Sequence, residues 1–186
     1  MKGPAIFLAQ FLPPSQEKTS LRSMCEWASN LGYEGVQIPT WDSRIFDLKL
    51  ASESQRYCDE IISVCRDTGV QISELSTHLQ GQLVASHAAY ADALNPLCPK
   101  HCSDDVLAQR SWAREQLLMA AKASQKLKLT THATFSGALL WHRVYPWPQR
   151  SDGLVSEAFS QLADLWMPIL DAFDVAGVDI CYELHP

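Results

Sequence analysis

The sequence predicts an α/β fold with a parallel sheet, of the (β/α)8 TIM-barrel type, here a partial barrel of about five strands and four helices. Two observations carry this. Short apolar runs alternate with amphipathic stretches along the chain, one βα unit per roughly 35–50 residues, and right-handed crossovers then make the strands parallel. Polar and aromatic residues also gather just after the strands: Gln10, Gln37 and Trp41, His78, Ser136, Glu183 and His185. A barrel places its site on that face. An open doubly wound sheet is the competing architecture. The turn after the first strand, Gln10 to Ser15, has no glycine. The phosphate-cradling loop of a dinucleotide fold is therefore absent.

The first strand is expected over Ala5 to Phe11, followed by a turn at Pro13, Pro14 and Ser15. Thr19 or Ser20 can cap the first helix. Its apolar face is Leu21, Met24, Cys25, Ala28 and Leu31, and Gly32 stops it. Gly35 to Pro39 is the second strand, and Thr40 to Leu50 reads as a loop opening with Trp41 and Asp42. Ser52 to Thr68 is the second helix, with Tyr57, Cys58, Ile61, Ile62 and Cys65 on one face; Gly69 ends it. Val70 to Leu75 is the third strand, ending near Thr77 and His78. Gln80 to Ser103, with Gly81, Pro96 and Pro99, reads as irregular. Ser103 can cap a long helix from Asp104 to Leu127, whose first two residues are acids suited to its positive end. Leu129 to Phe135 is the fourth strand, and Ser136 to Gly153 is a loop rich in aromatics and prolines. Val155 to Ala176 is the fourth helix, with Val155, Phe159, Leu162, Trp166, Ile169 and Phe173 on one side and Pro168 placed to kink it. Gly177 ends it, and Val178 to Tyr182 is the fifth strand.

Residues 1–186 read as a single domain with a sizeable core. Apolar residues make up 47% and charged residues 19%, which excludes a disordered chain. The net charge is −6 and no basic run is present, which argues against nucleic acid and for a neutral or modestly charged small molecule. The six cysteines are scattered and no signal-peptide pattern precedes them, so reduced thiols in the cytoplasm are expected. No apolar run reaches membrane-spanning length.

Glu183 and His185 are the strongest local signal. Two positions apart on an extended backbone, they point the same way. Carboxylate oxygen and imidazole nitrogen suit a divalent metal or proton transfer, though a solvated chain end is the bland alternative. The chain is expected to break off inside its own site. His78 reads equally as a ligand for substrate or metal and as a structural histidine. His132, inside the fourth strand, is expected to be buried with a backbone partner. Cys98-Pro99-Lys100-His101-Cys102 has poor zinc spacing and reads as a loop with free thiols. Cys58 and Cys65 read as core residues. Trp141, Tyr145 and Trp147, with Pro146 and Pro148, form either a sugar-stacking wall or a rigid loop on the rim.

Three stretches carry a family resemblance: GYEGVQIPTWD from Gly32 to Asp42, TFSGALLWHRVYPWPQR from Thr134 to Arg150, and AGVDICYELHP from Ala176 to Pro186. On these the chain resembles the sugar phosphate isomerase/epimerase family, the xylose isomerase-like TIM barrels, over the N-terminal half of a complete member. The resemblance implies eight βα units. It implies a divalent metal (Mn2+, Mg2+, Co2+ or Zn2+) held by Glu, Asp, His and Glu, one from each of the last four strands. Glu183 matches the first of these, and the other three would follow Pro186. In such enzymes two glutamates move a proton next to a sugar carbonyl while the metal stabilises the enediolate. His185 and His78 match positions that face substrate or metal, and Gln37 and Trp41 are expected to shape the pocket for a sugar or polyol. An apolar residue is expected where His132 stands. The isolated chain is expected to be inactive, with open strand edges that favour a homo-oligomer. Two other classes stay open. One is an endonuclease IV-like metal-dependent phosphoesterase, which the −6 charge argues against. The other is a non-catalytic binding or assembly module.

Overall fold

A computed structural model describes residues 3–12, 19–143 and 151–184. His185 and the Tyr145 to Pro148 part of the aromatic loop lie outside the described residues. Five strands are present: β1 (Ala5–Phe7), β2 (Gly35–Pro39), β3 (Gln71–Ser76), β4 (Thr131–Thr134) and β5 (Asp179–Tyr182). They pair in parallel and in chain order, β1-β2-β3-β4-β5. A doubly wound sheet reverses its strand order at a switch point. This sheet has none, so the chain forms a segment of a barrel wall.

The helices are α1 (Leu21–Asn30), α2 (Leu48–Glu53), α3 (Gln55–Asp67), α4 (His78–Val84), α5 (Val106–Lys126) and α6 (Leu154–Ala176). The described residues thus hold two more helices than the sequence predicts. The stretch read as one helix from Ser52 is broken at Ser54, which is extended and caps α3 through its hydroxyl. Asp47 caps α2, a helix that starts inside the predicted loop and runs past its end. The segment read as irregular from Gln80 overlaps most of α4, whose middle residue is Gly81. Glycine is a poor helix former in isolation, and here close packing requires it. A Cβ at Gly81 would strike Thr134 Oγ1 and the Phe135 carbonyl oxygen.

Other ends shift by a few residues. Ser20, not Thr19, caps α1, in a capping box with Ser23. Asp105 rather than Ser103 caps α5 through two backbone N–H bonds, because Asp104 takes a left-handed φ of 59°. β1 stops at Phe7 where the chain tightens into a 3-10 turn over Leu8–Phe11. α6 runs as one helix through Pro168.

The core lies between the sheet and the helices. Val36, Ile38 and Leu75 of the sheet bury against it together with Leu117 and Ala120 of α5 and Ile169 and Phe173 of α6. Among the described residues no helix is long and apolar enough to cross a membrane.

Candidate functional site

The C-terminal ends of the strands converge on His78. This residue opens α4, two positions after β3 ends, and its side chain is almost wholly enclosed. Its Nε2 lies 2.9 Å from Glu183 Oε2, and the Glu183 side chain is 55% exposed. The pair therefore has one inner member and one facing solvent. The Glu183 backbone is set by the β4–β5 ladder, since its N–H donates to the Thr134 carbonyl at 3.0 Å.

Three aromatic rings wall the imidazole. Phe7 ends β1, with its ring centroid 5.1 Å from that of His78. Trp41 follows β2 and meets His78 edge-on at 6.3 Å. Phe135 follows β4 and lies at 4.6 Å. Each of the five strands therefore delivers one member of the cluster. Trp41 also borders a cleft of about 410 Å³ shared with Thr40, Phe46, Gln80 and Trp112. The turn after Trp41 is tied by Asp42, whose carboxyl the Arg44 guanidinium holds below the usual carboxylate range.

Of the residues singled out in the sequence, the structure brings His78, Trp41 and Glu183 together. Gln37 is held elsewhere. Its Nε2 donates to Glu74 Oε1 at 2.6 Å, and Thr131 Oγ1 donates to Glu74 Oε2 at 3.4 Å. Gln37, Glu74 and Thr131 thus make a polar layer across β2, β3 and β4. Glu74 escaped the sequence reading, although a lone charge inside an apolar strand was the available signal. Phe7 and Phe135 escaped it too, because an apolar residue ending a strand reads as core.

His132 is fully buried, as expected, but its partners are side chains rather than backbone. Its Nε2 lies 2.8 Å from Thr77 Oγ1 and its Nδ1 3.4 Å from Ser124 Oγ, with the Phe173 ring at 5.0 Å. Two hydroxyls satisfy both ring nitrogens, which is how a polar ring occupies a position that suits an apolar one. Burial, with a smaller contribution from His78, pushes its pKa down to about 3. It is a neutral packing residue between the sheet and the helices.

Chemically, the Glu183–His78 pair can hold or pass a proton at one spot on an aromatic-lined floor. A carboxylate oxygen and an imidazole nitrogen also suit a divalent cation in kind. They do not suffice in number: among the described residues no three His, Cys, Asp or Glu side chains cluster to hold an ion. Cys98 Sγ is 3.5 Å from the Asn95 carbonyl, and both Cys98 and Cys102 are free thiols.

Known proteins share this architecture. The structure matches D-psicose 3-epimerase from Clostridium cellulolyticum H10 with D-tagatose, at a TM-score of 0.54 and 14% identity, over 97% of this chain and 51% of that one. It matches 3-keto-D-glucoside 4-epimerase from E. coli at 0.57 and 12%, over 97% and 54%. It also matches a xylose isomerase-like TIM barrel protein from Mycobacterium smegmatis in complex with magnesium, at 0.52 and 13%, over 89% and 46%. The chain spans about half the length of the solved structures it matches. No curated protein matches the sequence at a significant level. The family model described as xylose isomerase-like TIM barrel matches residues 25–186. A parallel sheet in barrel order, with its polar cluster at the strand ends, fits that match, and this chain belongs to the xylose isomerase-like TIM barrel family.

Proposed function

We propose that this chain contributes part of a sugar isomerase or epimerase site that moves a proton next to the carbonyl of a ketose, an aldose or a related polyol. The observation that carries the reading is the Glu183–His78 pair, 2.9 Å apart and walled by Phe7, Trp41 and Phe135. Glu183, the more exposed partner, takes the proton from carbon. His78 orients the carboxylate and presents its ring to a substrate hydroxyl. The aromatic rings pack against the C–H faces of the sugar, and Trp41 closes one side of the pocket. Gln37 sets the pocket floor through Glu74. His185 is proposed as a further polar contact beside Glu183.

Glu183 is also proposed as one ligand of a divalent cation, Mn2+, Mg2+, Co2+ or Zn2+. A bound cation would polarise the substrate oxygens. The described residues supply too few donors to hold it, so the reading routes no step through it. The net charge of −6 supports a neutral or modestly charged small substrate over nucleic acid, and six unpaired cysteines support a reducing, cytoplasmic setting.

The test is a titration of the chain with ketoses, aldoses and polyols, followed by tryptophan fluorescence. Saturable binding is expected, weakened about tenfold or more by Glu183→Gln and by His78→Ala, the loss of a charge-assisted contact. Absence of saturation at about 100 mM of every sugar, far above usual substrate affinities, overturns the reading.

One observation favours a second role in assembly. Phe159 and Met167 on α6, with Tyr182 and Leu184 at β5, are large apolar side chains left exposed. A homo-oligomer through this face would give a concentration-dependent mass in light scattering, and Phe159→Glu would abolish it.

A further inference from the structure

The cleft that Trp41 borders has a chemistry of its own. Its volume of about 410 Å³ is in the range of small-molecule pockets. Four segments meet around it. The chain after β2 brings Trp41 and Phe46, and α4 brings Gln80. The 3-10 turn Asn95–Leu97 and the residues after it bring Leu97 and Pro99, and α5 brings Trp112. Trp41 joins the two places, since it meets the His78 ring edge-on and also lines this cleft. Gln80 follows His78 by two positions on α4. Side chains two apart on a helix do not share a face. One helix therefore sends His78 to Glu183 and Gln80 to Thr40.

The lining carries one acceptor that the protein leaves unused. Thr40 and Gln80 are its buried polar side chains, 5% and 1% exposed. The Thr40 hydroxyl donates its one proton to the Ser76 carbonyl at 2.9 Å. Toward Gln80 it can then only accept, and Gln80 Nε2 donates to it at 3.1 Å. That bond fixes which way round the amide sits. Gln80 Oε1 is left buried and, among the described residues, without a hydrogen-bond partner. Such a group is costly to keep unmet. The walls beside it are apolar: Trp41, Phe46, Leu97, Pro99 and Trp112. Ser43, Asp47 and Lys49 line the cleft from exposed positions and Gln116 from a half-buried one.

We propose that this cleft binds a planar aromatic molecule carrying one N–H or O–H donor, of the indole or phenol class. The donor meets Gln80 Oε1, and the ring packs on Trp41 and Trp112. A sugar ring matches this lining less well. Each of its several hydroxyls needs a partner once buried. The buried side chains offer one unused acceptor, because the Thr40 hydroxyl already gives one bond and takes another. A plain hydrocarbon ring would fill the walls and leave Gln80 Oε1 unmet. A flat ring with a single donor satisfies both. The site stands beside the one proposed for sugar and does not depend on that reading.

The experiment is calorimetry on the chain with indole and with benzofuran, which has the same two-ring shape and an oxygen in place of the N–H. Indole should bind saturably and about tenfold or more tighter than benzofuran. Gln80→Leu should erase that preference by lowering indole affinity to the benzofuran level. Trp112→Ala should weaken both ligands about tenfold. Glu183→Gln, which the reading above expects to weaken sugar binding, should leave indole binding unchanged. Equal affinity for indole and benzofuran in the wild-type chain overturns the proposal, and this comparison decides if Gln80→Leu misfolds. Absence of saturation at about 1 mM indole overturns it as well. So does a hexose that displaces indole, or indole binding lost in Glu183→Gln, since either places indole at the His78 cluster. Sugars that fail to bind while indole binds with its preference intact overturn the sugar reading and leave this site standing.

Discussion

His132 and His78 sit beside neighbouring strands and meet opposite surroundings. The His132 ring points to the helices, where Ser124 of α5, Thr77 and Phe173 of α6 close around it. The His78 ring stands at the strand ends, against a half-exposed carboxylate and three aromatic rings. One face of the sheet offers hydroxyls and no water, so the imidazole stays neutral and fills space. The strand ends offer a carboxylate open to solvent, so the imidazole, itself enclosed, has an ionisable partner there. Thr77 lies at the divide. Its hydroxyl meets His132, and the next residue along the chain is His78. The same side chain therefore meets hydroxyls or a carboxylate according to where the chain places it, inside a strand or just beyond one.

The sharpest test of this contrast is stability. His132→Ala should cost about 3–4 kcal/mol by chemical denaturation, because it opens a cavity, strands the buried Ser124 hydroxyl and removes one partner of the Thr77 hydroxyl. His78→Ala should cost about 1–2 kcal/mol and mainly remove sugar binding. Equal losses at both sites would break the comparison.

Acid should separate the two as well. The unfolded chain protonates His132 near pH 6.5 and the folded chain only near about 3. Between those values the unfolded state holds more protons, so stability is full above about pH 6.5 and falls as pH drops toward about 3. The whole window amounts to roughly 4–5 kcal/mol. His132→Leu should flatten that slope in denaturation curves taken across the window. A variant that keeps the wild-type slope would assign it to other groups.

Gly81→Ala tests the link between packing and site. An interior helical alanine normally adds about 1 kcal/mol over glycine. Here its Cβ meets Thr134 Oγ1 and the Phe135 carbonyl. A net loss of about 1–3 kcal/mol is expected in thermal melts, with weaker sugar binding because α4 carries His78. The smallest stability effect belongs to Glu183→Gln, within about 0.5 kcal/mol, since its partly exposed ion pair is screened by solvent. Its effect on sugar titrations should nonetheless be large. A large stability loss would place Glu183 in the packed structure instead of the site.

Much of this was legible from residue order. Leu21, Met24, Cys25 and Ala28 mark α1 by spacing and are buried as that spacing implies. Trp41, His78 and Glu183 stood out because each follows a strand, and a parallel sheet brings all such positions to one end. The break at Ser54 was hidden because serine is common both inside helices and at their starts. α4 was hidden because Gly81 reads as a loop residue until the Thr134 and Phe135 atoms opposite it are in place. The bond of Gln37 to Glu74 was hidden because the two are 37 positions apart. The hydroxyl partners of His132 are likewise on other elements, Thr77 being 55 positions distant.

From its sequence alone, this protein has its alternation of strands and helices, its barrel-type order and its polar strand ends. Those follow from local periodicity and from turn residues acting within a few positions. The tertiary structure alone decided which histidine meets hydroxyls and which meets Glu183, that Phe7 and Phe135 wall the His78 imidazole, and that His142 meets His87. Each of these depends on which side of the sheet a residue enters and on what a distant segment brings against it. Spacing along the chain carries neither.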